Sequence, residues 1–281
     1  MHASVSAAGA PPASPVPDAS SVPAGSGCSL PLVAALGTAS VARLEQRSFN
    51  AWPAVRTAVM DGWLLRSSGG YTKRANSANA VQAGAMLDDG LLQAIEAWYV
   101  RQQLPAIFRL SPMADVQVDA LLAARGYALV EPSRFLLREC TAADRSLSAV
   151  PVEPGCTPAW LAGYAQASGL VPHQQPWHQR IVDGIGGQCA YASVEQGGRS
   201  VAWGLAVLER GAAGLYDVVV DPECRGQGLG RQLVCGLLHW AAAHGAQQVD
   251  LQVRGGNRVA EQLYASLGFV PAYGYHYRVQ R

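Results

Sequence analysis

The stretch Val218-Val-Val-Asp-Pro-Glu-Cys-Arg-Gly-Gln-Gly-Leu-Gly230 carries the residue types that binding a diphosphate requires. An apolar run ends at Pro222, Arg225 follows, and Gly226, Gly228 and Gly230 alternate into Arg231-Gln-Leu-Val-Cys-Gly-Leu-Leu-His239. This order predicts a strand, a tight turn and the start of a helix. Glycine tolerates unusual φ and lets a ligand approach the backbone closely. Consecutive N–H groups in such a turn aim at one spot in front of a positive helix end. The amides from Arg225 to Gly230 are therefore expected to hold a diphosphate-bearing cofactor. Arg231 adds a charge contact to phosphate or is a surface arginine, and the Gln227 side chain has no separate task.

Three loop types meet that description. A P-loop needs Gly-Lys-Ser/Thr after its spacer, and the only lysine in the chain is Lys73. A dinucleotide fingerprint needs Gly-x-Gly-x-x-Gly, whereas these glycines are spaced two and two. Asp250 stands where a ribose-binding acid belongs, but too few residues follow it to complete a doubly wound sheet. The pattern Val-x-Pro-x-x-Arg-Gly-x-Gly-x-Gly instead resembles the pyrophosphate motif of the GNAT superfamily of acyl-CoA-dependent N-acyltransferases.

Downstream residues extend the resemblance. Gln247–Val253 alternates as a strand does, and Arg254-Gly-Gly-Asn-Arg258 turns the chain. Val259–Leu267 has helical spacing, Gly268 sits at a left-handed cap, and Phe269-Val270 resumes an extended run. A strand, an Asn, Ala-x-x-Leu-Tyr and Gly-Phe are how this superfamily closes its acyl-CoA site. The likeness covers residues 155–281. It implies an α+β, three-layer αβα fold: a mostly antiparallel sheet flanked by helices, preceded here by a degenerate lobe.

The resemblance also implies a chemistry. Tyr264 matches the phenol near the sulfur, a general acid toward the departing thiolate. The N–H groups of Val218 and Val220 match those that meet the pantetheine arm and the thioester carbonyl. Cofactor contacts are thus expected at Val218, Val219 and Val220, at Arg225, Gly226, Gln227, Gly228, Leu229, Gly230 and Arg231, and at Asn257 and Tyr264. Asn257 is either beside the cofactor or a plain turn residue. Direct acyl transfer needs an amine, a polarised carbonyl and a stabilised leaving group, but no covalent intermediate and no metal. Asp217 is the candidate general base, with a half-buried ion-pairing Asp as the alternative. Period-two alternation groups Asp217 with Val219, and Tyr216 with Val218 and Val220. Glu195, His239 and His244 are weaker candidates, and His276 lines an acceptor pocket or is an ordinary sheet residue.

Composition narrows the class. The 281 residues exceed one ordinary domain, and 49% of them are apolar against 15% charged, which supports a sizeable core. A net charge of +1 gives no electrostatic case for nucleic acid or an anionic membrane. The six cysteines have neither Cys-x-x-Cys spacing nor paired histidines, so reduced thiols and a cytoplasmic location are expected. No apolar stretch is long enough to span a bilayer. Residues 1–30, rich in Ala, Ser, Pro and Gly, read as a disordered tail.

The elements that position these groups fall in two halves. In the first, residues 38–142, a helix is expected over Arg43–Trp52. Asp61–Arg66 and Lys73–Ala78 form a strand pair around a Ser67–Gly70 turn, and Leu91–Val100 is a helix with an acidic start. A strand over Ala106–Leu110 and a helix over Asp115–Ala124, ending at Gly126, complete it. Aligning Gly126 with Gly268 sets Leu121 on Leu263 and Leu122 on Tyr264, as in a degenerate copy that lacks the glycine loop. Chance similarity is the alternative. In the second half Ala159–Ala167 and Gln179–Ile185 are helical, and Ala190–Val194, Arg199–Leu208 and Gly214–Val220 are strands. The expected protein is an acetyl-CoA-dependent N-acetyltransferase acting on a small-molecule primary amine, compatible with a homodimer. A non-catalytic acyl-CoA-binding module is the alternative, and a nicotinamide-binding protein a third.

Overall fold

The apolar runs pair into one eleven-stranded sheet in the computed structural model, which describes residues 36–280. The tail expected over 1–30 lies outside the described residues. Three hairpins seed the sheet. β1 (Arg56–Met60) turns into β2 (Trp63–Ser67) at Asp61-Gly62. β7 (Gln188–Gln196) turns into β8 (Arg199–Glu209) at Gly197-Gly198, and β8 into β9 (Ala212–Val220) at Arg210-Gly211. Both residues of each turn have positive φ, the twist that two-residue hairpins need.

One expected turn moves. The hairpin foreseen at Ser67–Gly70 is an irregular loop, because Asn76 Oδ1 takes the N–H groups of Ser68 and Gly70 at 2.7 and 2.8 Å. Lys73–Ala75 is a 3-10 turn, and the strand partner of β2 is β3 (Ala78–Ala80). The helices form where their caps predict. α2 (Asp89–Arg101) starts at Asp88, whose side chain accepts from Leu91 N. α4 (Pro158–Ser168) starts at Thr157, which accepts from Trp160 N. α1 spans Thr38–Ala51, longer than expected, and α5 spans Gln175–Asp183, a turn earlier than expected.

The sheet has an internal correspondence. β4 (Ile107–Leu110), α3 (Val116–Ala124) and β5 (Ala128–Glu139) repeat β10 (Gln248–Arg254), α7 (Arg258–Ser266) and β11 (Val270–Val279). Gly126 and Gly268 have φ of 81° and 83°, and the next N–H, of Tyr127 or Phe269, returns to Leu122 or Tyr264 at 3.0 Å. β3 lies parallel to β4 as β9 lies parallel to β10. The closing strands are exchanged: β5 pairs with β10, and β11 with β4 and β5. Residues 38–142 therefore do not simply precede the second half; they share its sheet.

Helices cover both faces. α6 (Leu229–Ala243) and Tyr264 of α7 pack with Leu215, Val249, Leu251 and Val253. α4, α5 and the end of α1 pack on the other side with Trp203, Leu205 and Tyr216. α1 is also tied to the sheet by charge: Glu45 meets Arg109 and the Tyr273 hydroxyl in the interior, and Arg47 Nη2 meets Asp250 Oδ2 at 2.9 Å. Asp250 is thus covered by α1, unlike the ribose-binding acid of a dinucleotide site. Burial pushes its carboxyl up to about 6, against the pull of Arg47. A raised carboxyl favours the folded state at low pH: its contribution is full below about pH 4 and is lost as pH rises through 6. Asp250→Asn should remove that slope, on the order of 2 kcal/mol, from urea-unfolding free energies measured between pH 4 and 7. Parallel profiles for the two proteins would contradict the assignment.

Candidate active site

The site begins at a defect in β9. Trp203 pairs with Val219 and Leu205 with Tyr216, so Gly204 faces both Asp217 and Val218. This is a β-bulge, and Asp217 takes a left-handed φ of 51° within it. The bulge resets the alternation: Tyr216 and Asp217 follow one another on the α4–α5 side, while Val218 and Val220 pack on the α6 side. The expected grouping of Tyr216 with Val218 and Val220 fails for that reason. Parallel pairing of β9 with β10 stops at Leu215–Leu251, although β10 stays paired with β5 as far as Arg254. The β9 edge beyond Tyr216 thus parts from β10, leaving a wedge whose walls carry unpaired backbone groups.

The loop that follows opens onto this wedge. Asp221 Oδ1 accepts from Glu223 N at 3.1 Å and Asp221 Oδ2 meets Arg199 at 2.9 Å, which fixes the turn. Gly226 and Gly228 have φ of 76° and 80°, and a Cβ built on either meets nothing within 4 Å. They are glycines for their φ, and the space before them is open. Gly230 differs, since a Cβ there would make ordinary contacts with Val220 and Leu263 at 3.5 and 3.6 Å. No N–H from Arg225 to Arg231 finds an acceptor among the described residues, and the first bond of α6 runs from Gln232 to Gly228 O. Side chains here are occupied: Gln227 by Gln196 at 3.1 Å, Arg231 by Ser266 at 2.8 Å, and Arg225 by the Val220 carbonyl at 3.3 Å. Leu229 is buried beneath them. A run of unspent amides at the start of a fifteen-residue helix suits a diphosphate.

On α7, Tyr264 is buried with its ring edge-on to Phe269, centroids 5.8 Å apart. Burial pushes its phenol up to about 12, so it stays protonated at neutral pH and has a proton to give. Asn257 caps α7, its Oδ1 accepting from Ala260 N at 3.2 Å, which leaves its amide N–H groups free.

Asp217 is the other candidate centre. Its Oδ2 lies 2.7 Å from His178 Nε2, and both side chains are almost wholly buried. His178 stacks on Tyr164 at 4.6 Å and meets Tyr71 edge-on at 5.6 Å, with Trp52 and Trp160 beyond. Burial, and next the Asp217 charge, push both phenols up. The outer side of His178 lines a groove of about 280 Å³ between α4 and α5. The sequence reading missed His178 because it began α5 at Gln179. One turn earlier, His178, Ile181 and Val182 share the buried stripe at i, i+3 and i+4.

The remaining candidates lie elsewhere. His276 and Arg278 meet Asp119. His239 lies on α6, and His244, at its end, contacts the Trp240 carbonyl. Glu195 is exposed in β7.

A mostly antiparallel sheet with helices on both faces, parted at a bulged strand before an amide-lined helix, defines an N-acetyltransferase of the GNAT superfamily. The chain is thus an acyltransferase. It belongs to the family described as probable histone acetyltransferase Rv0428c C-terminal, whose model matches residues 38–278. It is 29% identical over 247 residues to an uncharacterized N-acetyltransferase, YobR, of Bacillus subtilis, covering 86% of this chain and 99% of that protein. It is 28% identical over 242 residues to the probable histone acetyltransferase Rv0428c of Mycobacterium tuberculosis, covering 83% and 71%. Among solved structures, a GCN5-related N-acetyltransferase from Kribbella flavida superposes with a TM-score of 0.63 at 17% identity, covering 88% and 96%. A tandem GNAT protein from the clavulanic acid biosynthesis pathway gives 0.58 at 16%, covering 84% and 87%. At these identities the two structures share the fold. No helix among the described residues is long and apolar enough to cross a membrane.

Proposed function

We propose that the chain moves an acetyl group directly from acetyl-CoA, the donor that GNAT acetyltransferases use, to a primary amine of a small molecule. The observation that carries this reading is the run of unspent N–H groups from Arg225 to Arg231 beside the parted β9 edge. In this reading those amides take the diphosphate, and the β9 edge from Val218 to Val220 meets the pantetheine arm and the thioester carbonyl. Residues 155–281 form the catalytic lobe. Residues 38–142 are a degenerate copy of it that shapes the acceptor side through Tyr71 and the loop beside it. The small-molecule assignment rests on the charge balance, which lacks the basic or acidic tracts of a macromolecular track.

Transfer needs a neutral amine, a proton acceptor and a stabilised thiolate. The Asp217–His178 pair takes the amine's proton, with the α4–α5 groove behind His178 as its route to solvent. Tyr264 gives its proton to the departing sulfur. A thiolate leaves without much help, so Tyr264→Phe should lower kcat by a moderate factor, roughly 10- to 100-fold, and barely change coenzyme A affinity. Release of free thiol from acetyl-CoA, followed with a panel of small amines and peptides, tests the function. Coenzyme A binding without release by any amine would overturn it, and unchanged kcat in Tyr264→Phe would remove the phenol from the mechanism.

A further inference from the structure

Near Asp217 stands a cation whose N–H groups have no hydrogen-bond acceptor among the described residues. Lys73 reaches Glu131 at 2.7 Å. Arg66 spends its guanidinium on the carbonyls of Arg74, Phe49 and Trp52. Arg74, on the 3-10 turn Lys73–Ala75, has only rings for company: its guanidinium carbon lies 5.2 Å over Trp52 and 5.9 Å over Tyr216. No oxygen among the described residues accepts from its nitrogens. Nor are those nitrogens sealed off, since the unpartnered and sealed side-chain atoms among the described residues are Asn79 Oδ1 and His239 Nδ1. Arg74 is therefore half-buried and crowded by aromatic rings, yet its nitrogens are not sealed from solvent. Rings engage the flat face of a guanidinium and leave its edge, with the N–H fork, free. A crowded cation without an acceptor is rare in native proteins and calls for an explanation.

Its position supplies one. Trp52 stacks on Tyr216 at 5.8 Å and lies 6.0 Å from His178, and Tyr216 directly precedes Asp217. One cluster of rings therefore touches both the Arg74 guanidinium and the acid–base pair. An acceptor whose amine faces Asp217 would bring a group on its other end toward Arg74. We infer that Arg74 anchors a carboxylate of the acceptor, so that the substrates are amino-acid-like amines bearing a carboxylate. A carboxylate fits better than a phosphate because one unspent cation matches a single charge, and both neighbouring cations are engaged. This inference rests on the acetyl-transfer reading of the cleft.

The test is calorimetry on the full chain with N-acetyl amino acids, which mimic the acetylated product, and their carboxamides. Wild type should bind at least one carboxylate roughly tenfold or more tighter than its carboxamide. Arg74→Met should erase that difference, Arg74→Lys should keep part of it, and coenzyme A affinity should be unchanged in both. No preference for carboxylate in wild type, or a preference that persists in Arg74→Met, would overturn the assignment. Carboxylate preference without coenzyme A binding would leave the Arg74 site standing and remove acetyl transfer.

Discussion

Gly228→Val should lower coenzyme A affinity by roughly 100-fold or more while the chain still folds. Gly228 takes φ of 80° as the N-cap of α6, a conformation that costs a residue with a Cβ about 1–2 kcal/mol. A β-branched side chain would relieve that strain by rotating the turn, which swings the N–H groups of Gly226 to Gly230 away from their common target. Loss of two charge-assisted hydrogen bonds at about 1.5–3 kcal/mol each accounts for the factor. The cost to folding is confined to that backbone strain, because a Cβ at this position meets no neighbour within 4 Å. Gly230→Ala is the contrast: its φ is helical and its Cβ would find room, so affinity should change little. Calorimetry with circular dichroism checks both, and a folded Gly228→Val protein that binds coenzyme A within about fivefold of wild type would refute the role of the turn.

The second large effect concerns the buried pair. Asp217→Asn and His178→Gln should each reduce kcat by roughly 10²- to 10⁴-fold, the usual weight of a proton acceptor in the transition state, with coenzyme A affinity retained. Either change leaves a group that can hydrogen bond at the 2.7 Å contact, so packing within the aromatic cage survives. A purely structural pair would instead shift unfolding temperature and leave kcat alone. Wild-type-like kcat in either one would remove the pair from the chemistry.

Much of this was legible in the sequence where local chemistry decides structure. The loop from Val218 to Arg231, the left-handed glycines at Gly126 and Gly268, and the caps at Asp88 and Thr157 are short-range devices. The bulge was not legible: period-two alternation has no marker for one extra residue, so Tyr216 was assigned to the wrong face. The strand exchange between β5 and β11 was equally hidden, because it is a choice of partners among similar apolar edges. His178 and Arg74 escaped for a related reason. Each acquires its meaning from residues far away in sequence, His178 from Asp217 and Arg74 from Trp52 and Tyr216. Asp217 stands out in the sequence by its place before the loop, but its partner could come only from the way α5 lies over β9.

The most direct test of the account is a calorimetric comparison of coenzyme A with pantetheine, which lacks the diphosphate, on the intact chain. Saturable one-to-one binding of coenzyme A, roughly 100-fold tighter than pantetheine, is the expected result. Absence of saturable heat with coenzyme A, or equal affinity for the two, would contradict the assignment of the Arg225–Arg231 amides to a diphosphate.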